Sequence, residues 1–362
     1  MSDYDITEIN SLEHDEVNNH YNSLVMINST HFILACQGPD DDGFIKTFSI
    51  DGSHNITEIN SLEHDVNSSY FNSLVKIDDT HFILAYSGGV GPSGYIKTFS
   101  IDDAYDITEI HSLAHGLGTY NSLVKIDDTH FILAYSGSGS DGYITTFSID
   151  DAYDITEIHS LEHDTSDSYT NSLLMIDTTH FILACAKPNV SSIKTFSIDG
   201  SYNISLIDSF AHSLTTSNFS NSLLMIDTTH FILACSEAAA NDGYIKTFSI
   251  DGSYDNIAEI DSLLFTGDSL YNSLVMINST HFILAYYGLG GIGLIKTFSI
   301  DGSYDNIAEI DSLEHSVIGG ANSLVKIDST YYILAYTGPD SDGFIKTFNV
   351  TIGRGVKMIM YF

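Results

Sequence analysis

The sequence predicts an all-β fold, a seven-bladed β-propeller with four antiparallel strands per blade. Three observations carry this: a repeat of 49 to 51 residues, strand-type composition throughout each repeat, and one repeat split between the chain ends. The block Asn-Ser-Leu-(Val/Leu)-(Lys/Met)-Ile, an Asx- or Thr-containing turn, then (His/Tyr)-(Phe/Tyr)-Ile-Leu-Ala-(Tyr/Cys) starts at Asn22, Asn72, Asn121, Asn171, Asn221, Asn272 and Asn322. A period in this range is that of a solenoid, propeller or array, so it settles domain count before length does.

Within a period, β-branched and aromatic residues fill short runs bounded by Asp, Gly, Ser and Asn, which are strand and turn signals. In the second repeat these give strand A over Ser73–Ile77, strand B over Phe82–Tyr86, strand C over Tyr95–Ile101 and strand D over Ile107–Leu113. Four antiparallel strands per period make one propeller blade, and apolar residues on both strand faces suit sheets stacked against neighbouring sheets.

The chain opens with a fourth-strand unit, Asp5–Leu12, and its repeats stop after a third-strand unit, Phe344–Phe348. The N-terminal strand, residues 4–12, is therefore expected to complete the last blade, closing the ring without a free edge. Residues 1–352 read as one propeller domain. Residues 353–362 read as a non-repeat tail or latch, with an apolar run from Val356 that competes for the same outer edge.

Over about residues 4 to 350 the chain resembles seven-bladed β-propeller repeat proteins, and the resemblance stops at architecture. With no Trp, it lacks the Trp-Asp blade ending and the Trp motifs of quinoprotein-type propellers, and paired kelch-type glycines do not recur. Fold alone assigns no function.

The net charge of −36, from 48 acidic and 12 basic residues, argues against nucleic-acid binding, which needs clustered cations. Cys36, Cys185 and Cys235 share the strand B position that carries Tyr86, Tyr135, Tyr286 and Tyr336 elsewhere; one per blade, they read as core residues too far apart to bridge. No apolar stretch approaches the roughly 18 residues of a membrane span, so no membrane insertion is expected. Cytoplasmic and mature secreted locations both stay open, and a monomer is expected.

Sixteen histidines fall largely into two repeated sets. His31, His81, His130, His180, His230 and His281 open strand B, where a recurrent Thr-His reads as a structural hydrogen bond. His14, His64, His115, His163, His212 and His315 follow strand D, with Phe265 in the sixth blade; lying where the chain crosses between blades, they are candidate ligand-binding residues. Asp40 and Asp42, with Asp340 and Asp342, look like fragments of a calcium loop, though Asp-Gly is also a hairpin-turn pair and an EF-type loop needs further ligands. No cofactor is expected beyond that calcium reading.

Comparison among the blades places nearly all divergence on one face. A-to-B and C-to-D turns are almost constant, whereas B-to-C loops and D-to-A connections differ in every blade, as in Gln37–Gly43, Ser236–Gly243 and Tyr287–Gly293. Variable loops on a rigid scaffold are where binding residues collect. Tyr70, Tyr120, Tyr169 and Tyr271 on this rim are further ligand candidates, suited to stacking on sugars. The expectation is a non-catalytic, multivalent and lectin-like binding scaffold for a glycan or protein. The alternative is a propeller enzyme, such as a glycan hydrolase, hidden in non-repeated residues such as His20, Lys187 or Glu237, because catalysis needs asymmetric groups converging on one centre.

Overall fold

A computed structural model describes residues 4–89, 91, 93–187, 190–213, 220–237 and 241–351. The chain is a seven-bladed β-propeller: seven four-stranded antiparallel sheets stand around a central axis, each running from an inner strand A to an outer strand D. In the second blade the strands are Ser69–Lys76, His81–Gly88, Ser93–Ile101 and Ile107–Leu117. They are the four read from the repeat, lengthened mainly toward the variable rim.

Strand B carries the core. Phe82, Ile83, Leu84 and Ala85 are all fully buried, because the sheet is covered on both faces. Successive side chains point to opposite faces. Phe82, Leu84 and Tyr86 therefore pack into the seam with the first blade, and Ile83 and Ala85 into the seam with the third.

Ring closure follows the expected route. The N-terminal strand Asp5–Asp15 pairs antiparallel with Gly343–Thr351, from Asp5 opposite Thr351 to Asp15 opposite Gly343. Ile6 packs with Val350, Leu324 and Ile283, and the Tyr4 ring stacks on His281 at 3.9 Å. The tail 353–362 lies outside the described residues.

The repeated Asn-Ser-Leu acquires a physical reason at the inner wall. Each Ser hydroxyl accepts the Leu N–H of the next blade: Ser23 from Leu74 at 2.9 Å, Ser73 from Leu123 at 2.9 Å, and so on to Ser323 from Leu24 at 3.0 Å. Ser122, Ser172, Ser222 and Ser273 complete a closed circuit of seven bonds.

The constant face is constant for a similar reason. His81, which opens strand B, hydrogen-bonds Asp78 at 3.0 Å and stacks at 3.6 Å on Tyr153 from the C-to-D turn of the next blade. The Tyr153 hydroxyl donates to the other Asp78 oxygen at 2.8 Å. Between the seventh and first blades the two aromatic partners exchange places, with His54 stacked on Tyr331 at 3.6 Å. Changing one residue of a turn here breaks a contact with another blade. The variable rim carries no such ring of stacks among the described residues, although its loops are also braced locally. Among the described residues, no helix is long and apolar enough to cross a membrane.

Candidate functional site

The site is built where the inner strands begin, at the mouth of the central channel on the variable rim. Just before six of the seven repeated Asn residues the backbone takes a left-handed turn: Tyr21, Phe71, Tyr120, Thr170, Tyr271 and Ala321 have φ between 46 and 55°. Such conformations cost about 1–3 kcal/mol at a non-glycine residue and persist where surrounding structure holds them, often at functional sites. Here each is a register shift in strand A, as between His20 and Ser23, and it re-aims the side chain.

The resulting ring is lopsided. Tyr21, Phe71, Tyr120 and Tyr271 form an aromatic wall over four blades, with Phe71 and Tyr120 ring centroids 4.3 Å apart. Thr170 and Ala321 leave the wall low elsewhere. Below it lie the side chains of Asn22, Asn72, Asn121, Asn171, Asn272 and Asn322, which with the wall line a cavity of about 240 Å³. The amide nitrogens of Asn72 and Asn121 are buried without a hydrogen-bond partner among the described residues.

At the seventh blade the wall opens because Gly320 and Ala321 stand where other blades carry bulk. Two side cavities join there and share Tyr271, Ala321 and His20. The first, about 350 Å³, is lined by Tyr287, Ile318, Thr337, Asp340 and Ser341 among others. The second, about 260 Å³, brings together His20, Tyr21, Gln37, Asp41, Tyr70 and Tyr271. Gln37, itself buried, donates its amide to Asp41 Oδ1 at 2.8 Å and so fixes the carboxylate. Asp41 sits in a short 3-10 turn, Pro39–Asp41, with φ 68°. The Thr337 hydroxyl lies 3.4 Å from His20 Nδ1. Burial holds the His20 pKa below the ordinary imidazole value, partly offset by the negative charge of Asp41. A neutral imidazole beside a fixed carboxylate is the chemistry of a general base.

Several candidates lie elsewhere. The imidazole nitrogens of His14, His64, His115, His212 and His315 are enclosed and lack hydrogen-bond partners among the described residues. His163 Nδ1 meets Lys194 Nζ at 3.1 Å. These rings fill the seams between blades: His64 packs edge-on against Tyr86 at 4.8 Å, and Lys97 donates to the His64 carbonyl at 2.6 Å. They also explain a glycine, since a Cβ on Gly43 would lie 2.7 Å from the His64 ring. Burial, with the neighbouring lysine charge, drives the pKa of His14, His64, His163 and His315 down to about 3; burial takes that of His115 to about 4. The structure thus places these rings in the seams, and His14 also borders a surface pocket with Glu13, Asp15 and Pro39.

Of the tyrosines, Tyr120 and Tyr271 line the mouth and Tyr70 the His20 cavity, while Tyr169 packs edge-on against Tyr120 at 5.5 Å. Asp40 and Asp340 belong to matching 3-10 turns that Asp42 and Asp342 cap. Among the described residues these carboxylates are not gathered with further His, Cys or acidic donors. Of the non-repeated trio, Lys187 is tied to Asp164 at 2.5 Å and Glu237 lies in a seam, so His20 alone reaches the mouth. Sequence reasoning missed Gln37 and Asp41. The signal was there, because the first blade departs from the others at both positions as well as at His20.

No protein-family model matches the chain, and no curated protein matches it in sequence. Solved structures do share its fold. A candidate 6-phosphogluconolactonase from Bacteroides fragilis superposes with a TM-score of 0.64 at 12% identity, over 87% of this chain and 90% of that one. The periplasmic gluconolactonase of Pseudomonas aeruginosa gives 0.61 at 11%, over 92% and 96%. Sqt1 of Chaetomium thermophilum gives 0.59 at 12%, over 98% and 99%. At these identities the likeness shows the fold alone.

The expectation of a non-catalytic binding scaffold is corrected on two grounds. Two similar propellers bear the names of lactonases. The ring also does present an asymmetric group, His20 with Asp41 and Gln37, at one cavity. The repeat had hidden that group because each member occurs once, at positions that vary from blade to blade.

Proposed function

We propose that the chain is a propeller hydrolase of the lactonase type, opening a sugar lactone at the channel mouth. The observation that carries the reading is the meeting of a partly buried neutral His20 with the Gln37-anchored Asp41 beside the aromatic wall. His20 takes a proton from water as the water oxygen bonds to the lactone carbonyl carbon. The acyl C–O bond then breaks, and the proton passes from His20 to the departing ring oxygen, leaving a hydroxy acid. Asp41 favours the transient imidazolium by its charge. Buried amides below the wall, such as Asn72, are unpaired donors for substrate oxygens, and the Tyr21 and Tyr271 rings suit a sugar face.

Charge selects the substrate class. None of the described residues lining the three cavities is Lys or Arg, and Asp41 and Asp340 contribute negative charge. A phosphate needs charge-assisted donors, so the reading favours an uncharged lactone over a phosphorylated one. The test is acid release from gluconolactone and its 6-phosphate above the spontaneous rate. Turnover of the neutral lactone, lowered about tenfold or more by Asp41→Asn, supports the reading. No turnover, or turnover indifferent to Asp41, overturns it.

A further inference from the structure

The seam between the fourth and fifth blades differs chemically from its neighbours. At four seams a strand B tyrosine fills the space beside the preceding strand D ring: Tyr86 at 4.8 Å from His64, Tyr135 at 4.7 Å from His115, Tyr286 at 5.1 Å from Phe265 and Tyr336 at 4.6 Å from His315. At the fourth-to-fifth seam the position is Cys235, fully buried. Its strand, His230–Glu237, places Glu237 two residues on and so on the same side. From the facing strand Ile204–Ser213 comes His212, only 6% exposed, with both ring nitrogens lacking a hydrogen-bond partner among the described residues.

Three potential ligand atoms thus converge, all within 4.8 Å of one another. Glu237 Oε1 lies 3.6 Å from His212 Nδ1 and 3.7 Å from Cys235 Sγ. Tetrahedral ligands at the usual zinc bond lengths sit about 3.4 to 3.6 Å apart, so two of the three separations already match. Among the described residues this is the sole such group. At the other cysteine seams the nearby carboxylate comes from strand D instead, Asp15 or Asp164, and no such group of three forms there among the described residues.

We propose that His212, Cys235 and Glu237 bind one thiophilic divalent cation of the zinc class, clamping the fourth blade to the fifth where the tyrosine packing is missing. The Cys235 S–H proton leaves to solvent as the sulfur–metal bond forms, so binding tightens with rising pH. Lys246 now contacts Glu237 Oε1 at 2.8 Å. It yields that oxygen and keeps the His212 carbonyl at 2.9 Å and Glu259 at 3.3 Å. The cation site is independent of catalysis at the mouth.

The experiment is a titration of the chelator-treated full chain with Co²⁺, followed by displacement with Zn²⁺. One Co²⁺ per chain with a thiolate-to-metal charge-transfer band is expected, with Zn²⁺ raising the melting temperature. The band is lost in Cys235→Ser and kept in the Cys36→Ser, Cys185→Ser double variant. Glu237→Gln weakens Co²⁺ binding by at least about 10–100-fold, the cost of losing even an outer-shell partner. Should Cys235→Ser fail to fold, His212→Phe, which copies the sixth blade, must abolish the band instead. No charge-transfer band in the wild type, or one that survives either of these substitutions, overturns the proposal.

Discussion

Replacing Ile6 by Ala measures how firmly the N-terminal strand closes the ring. Ile6 is 7% exposed, as is Ile56 at the same position of the first blade, whose strand D has no chain end nearby. The change removes three buried carbons, about 2.4 kcal/mol at about 0.8 per methylene, and the residual cavity brings the total to about 2–5 kcal/mol. Because the environments repeat, Ile6→Ala and Ile56→Ala are expected to shift the urea unfolding midpoint by similar amounts, with unchanged slope. A loss under about 0.5 kcal/mol at Ile6, alongside more than about 2 at Ile56, is far below the buried-residue range and would refute closure by this strand.

Gly43→Ala drives a Cβ to 2.7 Å from the His64 ring and 2.8 Å from the Ser69 Cβ, so calorimetry should show a loss of about 1–3 kcal/mol. Gly52→Ala, with nothing within 4 Å, should be neutral or slightly stabilising. The folded state holds His64 neutral, with its pKa near 3, whereas the unfolded chain protonates it near the ordinary value of about 6.5. Its contribution is therefore fully present above that pH and lost on acidification toward about 3, at about 1.4 kcal/mol per pH unit. His64→Phe, which copies the sixth-blade Phe265, should flatten the acid limb of the stability curve by that slope, read from urea melts at pH 4 to 7.

The architecture was legible because a propeller repeats its physics. Burial on both sides of strand B, the Ser-to-Leu circuit and the His–Tyr stacks all recur with the period, so each leaves seven readable copies or nearly so. Even the exchanged pair His54 and Tyr331 was visible as two coordinated exceptions. Recurrence also misled, since the strand D histidines looked functional by repetition and are repeated because each seam needs the same ring. The mouth was hard to read for the opposite reason. His20, Gln37 and Asp41 each occur once, and they meet because His20 pairs across the strands with Gln37, the 3-10 turn after Gln37 carries Asp41, and the gap at Gly320 and Ala321 opens the cavity they line. His212 and Cys235 likewise sit in different blades, so spacing along the chain gave no metal pattern.

Whether His20 is the base at the channel mouth is decided by the pH dependence of kcat/KM for gluconolactone hydrolysis, compared between the wild type and His20→Gln. The wild type should show an acid limb with an apparent pKa below that of an ordinary histidine, since burial depresses His20. The variant should lose about 10²–10⁴-fold in kcat/KM, with the limb abolished. A variant that retains wild-type activity with the same acid limb would contradict the assignment.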